Sequence, residues 1–242
     1  ALRAGFEKDE FTLVYQPKVA AAGHHIVGFE ALVRWDRPGI GRINPMDFIP
    51  AAERNGLIVP LGALILTQAC RQIARWRDQG LALVPVAVNV SPLQLLDTQF
   101  PNTVMKTLAQ FQLPAHWLTL EITETAAVAH MDQAREQISQ LRQQGVDVAL
   151  DDFGTGFSSL NMLRSLPLHT VKIDRSLIDP MPESHAVAVV KAICDLAAVL
   201  DLDVVAEGVV DGLEPVDVDV HHGAVVAATT RARMNGQILY EG

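Results

Sequence analysis

Asp151 and Asp152 end the apolar run Val148-Ala149-Leu150, and Gly154 and Gly156 then release the chain into a tight loop. Adjacent carboxylates repel, and a divalent cation is the usual partner that lets both stay ionised. Similar side chains recur within or just past other strand-like runs: Gln16, Glu30, Asn89, Glu121 and Glu207. Glu30, Asn89, Glu121, Asp151, Asp152 and Glu207 are all oxygen donors, suited to Mg²⁺ or Mn²⁺. Histidine is missing from these strand ends, which argues against zinc; His24-His25 lies in a turn and His221-His222 in an irregular tail, both read as solvent-facing. A pair of cations suits in-line attack on phosphorus, and Asp151 with Asp152 would let one carboxylate bridge them while the other binds only the second. Lys172, beside Asp174, is placed to orient the attacking water, and Arg34 to hold a phosphate oxygen.

Strands must deliver these groups. Phe11 to Tyr15 is β-prone and stops at Gln16-Pro17; the turn at Gly23 makes it a hairpin with Ile26 to Trp35. Within the second strand Glu30, Leu32 and Arg34 are spaced by two and share one face, which reads as the wall of a site rather than a core. A loop is expected over Arg37 to Asn44 and helices over Pro45 to Asn55 and Leu61 to Gln79. Strands follow at Val84 to Val88, Leu118 to Leu120, Val146 to Leu150, Thr170 to Ile173 and Asp203 to Ala206. Between them lie helices at Asp132 to Gln144, Ser158 to Arg164 and Ser184 to Leu200, and several helices stop at glycine. This alternation is the signature of a mostly parallel sheet. With 242 residues it predicts an α/β fold, a TIM-like (β/α)8 barrel with its polar strand ends gathered at one mouth. Each polar residue alone reads as a solvated strand end or a helix cap; the succession does not.

Composition excludes several classes. Hydrophobic content of 49% against 19% charged residues marks a folded chain, and a net charge of -9 argues against binding a nucleic-acid polymer through its backbone. Cys70 and Cys194 sit in apolar helical patterns, so a reducing, cytoplasmic setting is expected and a disulfide framework is not. No apolar run reaches transmembrane length and no signal peptide is apparent, so no membrane contact is expected. The absence of an initial methionine suggests a domain of something longer, with residues 1–10 the end of a linker helix. Asp152-Phe153-Gly154 also spells a kinase metal motif, but no glycine-rich loop or His-Arg-Asp loop accompanies it.

The residues that carry chemistry fall into an ordered set: Tyr15-Gln16-Pro17, Glu30-Ala31-Leu32 with Arg34, Asn89-Val90-Ser91 and Glu121-Ile122-Thr123-Glu124. Asp151-Asp152-Phe153-Gly154-Thr155-Gly156, Lys172-Ile173-Asp174 and Ala206-Glu207-Gly208-Val209 complete it. The set resembles the EAL-domain family of cyclic di-GMP phosphodiesterases, from about Leu2 to Val209. The resemblance implies a barrel with one antiparallel strand near the N-terminus, spanning residues 11–209. It implies hydrolysis of one phosphodiester of cyclic di-GMP to linear 5'-pGpG with two Mg²⁺ or Mn²⁺ ions per site. The implied metal ligands are Glu30, Asn89, Glu121, Asp151 and Asp152, with Glu207 at the second metal or its water. Lys172 matches the lysine at the catalytic water, and Glu124 the glutamate that steadies the loop after Asp152. Gln16, Leu32 and Arg34 match substrate-contacting positions, and Asp174 is grouped with them. The resemblance also implies a homodimer and fused sensory domains.

After Val209 the pattern departs. Val210-Asp211 stands where the family has Glu-Thr, and Gln237 in Gly236-Gln237-Ile238 is not matched to the family's late glutamine. Val216, Val218 and Val220 alternate with polar residues and read as strand-like. Residues 210–242 are thus a divergent segment, and closure of the barrel by the last strand and helix is left open. Two functions follow: a metal-dependent hydrolase, or a receptor that binds cyclic di-GMP without turning it over. A scaffold that has lost nucleotide binding fits the Glu30-Leu32-Arg34 face least.

Overall fold

The architecture is that of a computed structural model, which describes residues 2–20, 25–124, 131–155, 160–180, 183–206 and 229–232. Among the described residues nine strands form one sheet: β1 Phe11–Ala20, β2 Ile26–Arg37, β3 Gly41–Ile43, β4 Val86–Val90, β5 Leu118–Thr123, β6 Asp147–Phe153, β7 Thr170–Ile173, β8 Asp203–Ala206 and β9 Thr229–Ala232. β2, β4, β5, β6, β7 and β8 run parallel in that spatial order. β1 lies antiparallel to β2, as the hairpin predicts, with Gln16 opposite Glu30 and Lys18 opposite Gly28.

The circle is completed from the divergent segment. β9 pairs antiparallel with β8 and parallel with β1, so a second reversed strand stands beside the expected one. The strand-like alternation at Val216 to Val220 lies outside the described residues.

Strand alternation sorts the side chains. On β2, Ala31, Val33 and Trp35 are buried while Glu30, Leu32 and Arg34 are only half-buried. The first set packs outward into helices: Trp35 meets Phe48 of the Pro45–Arg54 helix edge-on at 5.6 Å, and Phe11 stacks on Trp35 at 5.3 Å. Tyr15 and Phe29 both contact Trp76 of the Ile58–Asp78 helix. That helix buries Leu61, Ile65, Ala69, Ile73 and Trp76, the stripe its spacing predicts. Several elements were not anticipated, a 3-10 turn at Ala115–Trp117 among them. Gly41–Ile43 forms a hairpin with β2 where a loop is expected, helped by Arg42 donating to Asp36 at 2.9 Å. Phe100–Gln110 is a helix with Phe100, Val104 and Leu108 buried, and Arg175–Ile178 is one turn capped by Asp174.

Because β9 covers the open edges of β1 and β8, protein lacking residues 229–242 is expected to lose at least about 2 kcal/mol, or roughly 4–8 °C in Tm, and to associate through the bared edges. Thermal melting with size-exclusion chromatography checks this; an unchanged Tm and elution volume would remove β9 from the fold's stability.

Candidate functional site

Three inward-facing carboxylates converge at the mouth of the parallel strands. Oxygens of Glu30 on β2, Glu121 on β5 and Asp151 on β6 all lie within 4.8 Å of one another. At their centre is Lys172 of β7, whose Nζ stands 2.8 Å from Asp151 Oδ1, 2.9 Å from Glu121 Oε2 and 3.3 Å from Glu30 Oε2. Glu121 and Lys172 are each only 1% exposed. Asn89 on β4 donates from Nδ2 to Glu30 Oε1 at 2.8 Å, which holds that carboxylate in place.

One contact escaped the sequence reading. Lys18 on β1, itself buried, donates from Nζ to Glu121 Oε1. Each Glu121 oxygen therefore has its own ammonium. Lys18 follows Gln16 by two and so shares its face, but the strand expected to stop at Gln16-Pro17 in fact runs on to Ala20 and carries Lys18 inward.

The charges settle the electrostatics. Burial alone would raise the Glu121 carboxyl pKa, but the ammoniums of Lys18 and Lys172 and their hydrogen bonds outweigh it and hold it well below the usual glutamate range. Glu30 goes the other way: burial raises it, repulsion from Glu121 adds to that, and Lys172 and Lys18 only partly oppose it. Asp152 is also raised, by burial and then by the charge of Asp151. A site that holds carboxylates this close, some resisting ionisation, suits a hard cation with oxygen ligands, and the residues present fit one.

Local backbone explains how two consecutive aspartates can both stand at the site. Pairing between β6 and β7 slips between Leu150 and Phe153, so that β6 carries one residue more than its partner. Asp152 sits in the left-handed region at φ 57°, and its N–H donates to Asp151 Oδ1 at 3.0 Å. Asp152 thereby stands beside the three-carboxylate group rather than within it. Gly154 follows at φ 107°, and a Cβ there would come within 2.3 Å of Leu177 Cδ1.

The remaining sequence-predicted residues fall as follows. Gln16, Leu32 and Arg34 are half-buried along the hairpin, and Gln16 lies opposite Glu30 in register. Arg34 donates to the Val33 carbonyl at 3.0 Å. Asp174 caps the turn after β7, accepting from Ser176 N–H at 2.9 Å, and the Ser176 contacts hold its pKa down. Glu124 is buried just past β5. Glu207 and the loop at Gly156 to Ser159, which Glu124 was expected to steady, lie outside the described residues.

Two outcomes follow for the metal-free protein. Lys172→Met leaves three carboxylates without their shared ammonium and is expected to cost about 3–5 kcal/mol in denaturant unfolding. Glu121, its pKa lowered by folding, contributes stability that is present above the unfolded value near pH 4.3 and fades as the pH falls through the depressed folded value. Glu121→Gln should flatten that acid limb of a stability–pH profile; an unchanged slope would deny the pairing.

Comparisons with known proteins bear on the family and the fold. The family model described as EAL domain matches residues 1–214. The oxygen sensor protein DosP of Escherichia coli (strain K12) is 40% identical over 210 residues, 86% of this chain and 26% of DosP. The bifunctional diguanylate cyclase/cyclic di-GMP phosphodiesterase MucR of Pseudomonas aeruginosa is 42% identical over 209 residues, 86% of this chain and 30% of MucR. The chain thus spans about a quarter to a third of the length of these relatives. Among solved structures, the PaMucR phosphodiesterase in its c-di-GMP complex matches with a TM-score of 0.81 and 36% identity, covering 98% of this chain and 94% of that one. The EAL enzyme Bd1971, in its cAMP and cyclic-di-GMP bound form, matches at 0.80 and 31%, covering 87% and 58%. With the model spanning 1–214 and relatives of this similarity, the chain belongs to the EAL domain family.

Proposed function

We propose that this chain is a metal-dependent phosphodiesterase that opens one phosphodiester of cyclic di-GMP to give linear 5'-pGpG. The observation that carries the reading is the convergence of Glu30, Glu121 and Asp151 on one point beside Lys172. Relatives described as cyclic di-GMP phosphodiesterases, and the c-di-GMP complex of PaMucR, support the substrate. Glu30, Asn89, Glu121, Asp151 and Asp152 would hold two Mg²⁺ or Mn²⁺ ions, with Glu207 beside the second. When bound, such cations neutralise charge developing on the phosphate and lower the pKa of a water.

The chain's own side chains do the rest. Lys172, fixed by three carboxylates, keeps an ammonium aimed at the attacking water. Arg34 holds a non-bridging phosphate oxygen, and Gln16, Leu32 and Asp174 contact the nucleotide. Glu124 braces the loop beyond Asp152. Asp152 acts from its strained backbone position, which asparagine tolerates better than most residues. The domain works as a homodimer in the cytoplasm, regulated by sensory domains of a longer protein; that its relatives are about three times its length supports the further domains. Among the described residues no helix is long and apolar enough to cross a membrane.

A receptor that binds without turnover is the second reading, favoured by the departure of the sequence after Val209. Incubation with cyclic di-GMP and Mg²⁺, Mn²⁺ or Ca²⁺, followed by chromatography, separates the two. Linear product with Mg²⁺ or Mn²⁺, inhibition by Ca²⁺, and loss of at least about 100-fold in Glu30→Ala and Asp151→Ala are expected for the hydrolase. Binding without product under saturating Mn²⁺ identifies the receptor. Asp152→Asn should retain the fold and lose about 10-fold or more in kcat.

A further inference from the structure

Among the described residues, Lys18 is the buried charge that the reaction above does not use. Its residue is 8% exposed, it lies on the reversed strand β1, and its ammonium reaches Glu121 Oε1 from the side opposite Lys172. The stem passes Gly28, its partner in the ladder, where a Cβ would already stand 3.8 Å from Lys18 Cδ and 3.2 Å from the Pro85 carbonyl oxygen. Beneath the stem is a cavity of about 160 Å³ bounded by Pro85, Ala87, Thr119, Asp147 and Thr170, at the far end of the barrel from the carboxylate cluster. The stem is therefore steadied by β2, while its charged head is fixed by Glu121.

We propose that Lys18 is a positioning residue: by holding Oε1 from outside the cluster it leaves Glu121 only Oε2, the oxygen that Lys172 now holds and that an entering cation would share with it or take over, and so biases the site toward Mg²⁺ and against Ca²⁺. This rests on the metal-dependent reading of the cluster. Mg²⁺ demands near-octahedral coordination by single oxygens, whereas Ca²⁺ takes six to eight and readily accepts a carboxylate through both. For Glu121 to bind through both oxygens, Oε1 must leave Lys18 and strand a buried ammonium, which is costly. The two ions carry the same charge, so removing the positive charge of Lys18 affects both alike. Their affinity ratio isolates the geometry.

The test is calorimetric titration of the protein with Mg²⁺ and with Ca²⁺, in the absence of nucleotide. Lys18→Met is expected to shift the ratio of the two dissociation constants about 10-fold toward Ca²⁺, the scale seen when a partner of a metal ligand is removed. Lys18→Arg, which keeps a charged donor and can use the cavity, should bring the ratio back within about threefold of wild type. In a Glu121→Gln background, Lys18→Met should move it little, since the effect passes through Glu121. A ratio that Lys18→Met leaves within about twofold of wild type overturns the proposal, even if melting temperature falls. Should Lys18→Met not fold, Lys18→Gln serves in its place and is read by the same ratio. Wild-type protein that binds neither ion overturns this proposal and the hydrolase reading together. Wild-type protein that hydrolyses cyclic di-GMP while the variants leave the ratio fixed overturns this one alone.

Discussion

The interaction on which the structure depends is the pairing of buried carboxylates with buried ammoniums inside the barrel. Glu30, Glu121 and Asp151 bring three negative charges, and Lys172 with Lys18 returns two positive ones, leaving one negative charge uncompensated among these five. Isolated burial of any of them would be prohibitive, and each is tolerated because another strand delivers its partner. The five come from β2, β5, β6, β7 and β1, so the ion network works only if the strands hold register to within a fraction of an ångström. That is a reason to build it on hydrogen-bonded strands and not on loops.

Everything apolar serves that register. The interior of a barrel is ordinarily filled by branched apolar layers, but here its upper part is ionic. The hydrophobic contribution comes instead from the outer faces of the strands, where Phe11, Trp35, Phe48, Tyr15 and Trp76 join β1 and β2 to two helices. The bulge on β6 is the irregularity that sets Asp152. It holds Asp152 in a left-handed conformation, a cost of order 1–3 kcal/mol that the neighbouring strands must sustain.

Most of this was legible because strands announce themselves by period two. Glu30, Leu32 and Arg34 share a face in sequence and in space, and Glu121, Asp151 and Lys172 meet at the strand ends where the pattern places them. What was not legible depended on partners distant in the chain. Lys18 faces inward by spacing, but its meaning requires Glu121, 103 residues away. Asp152 and Asp151 look equivalent as neighbours; only the slipped ladder separates them. The helix at Phe100–Gln110 carries a readable spacing of four in Phe100, Val104 and Leu108, but its end lacks the usual glycine, and Gln112 takes the left-handed conformation there instead. The strand Gly41–Ile43 was hidden by Gly39 and Gly41, which suit a hairpin as well as a loop.

Strand β9 gives the domain two different ends. Its recognisable sequence runs to residue 214, whereas its hydrogen-bonded ring is completed by residues 229–232. Ladder pairing is made by peptide groups that every residue but proline supplies, so selection on that strand is weak in side-chain identity and strong in mere extended conformation. Mutations can therefore accumulate there until descent is no longer visible while the architecture persists. A domain boundary drawn by similarity would cut this barrel open, and one drawn by backbone pairing would not.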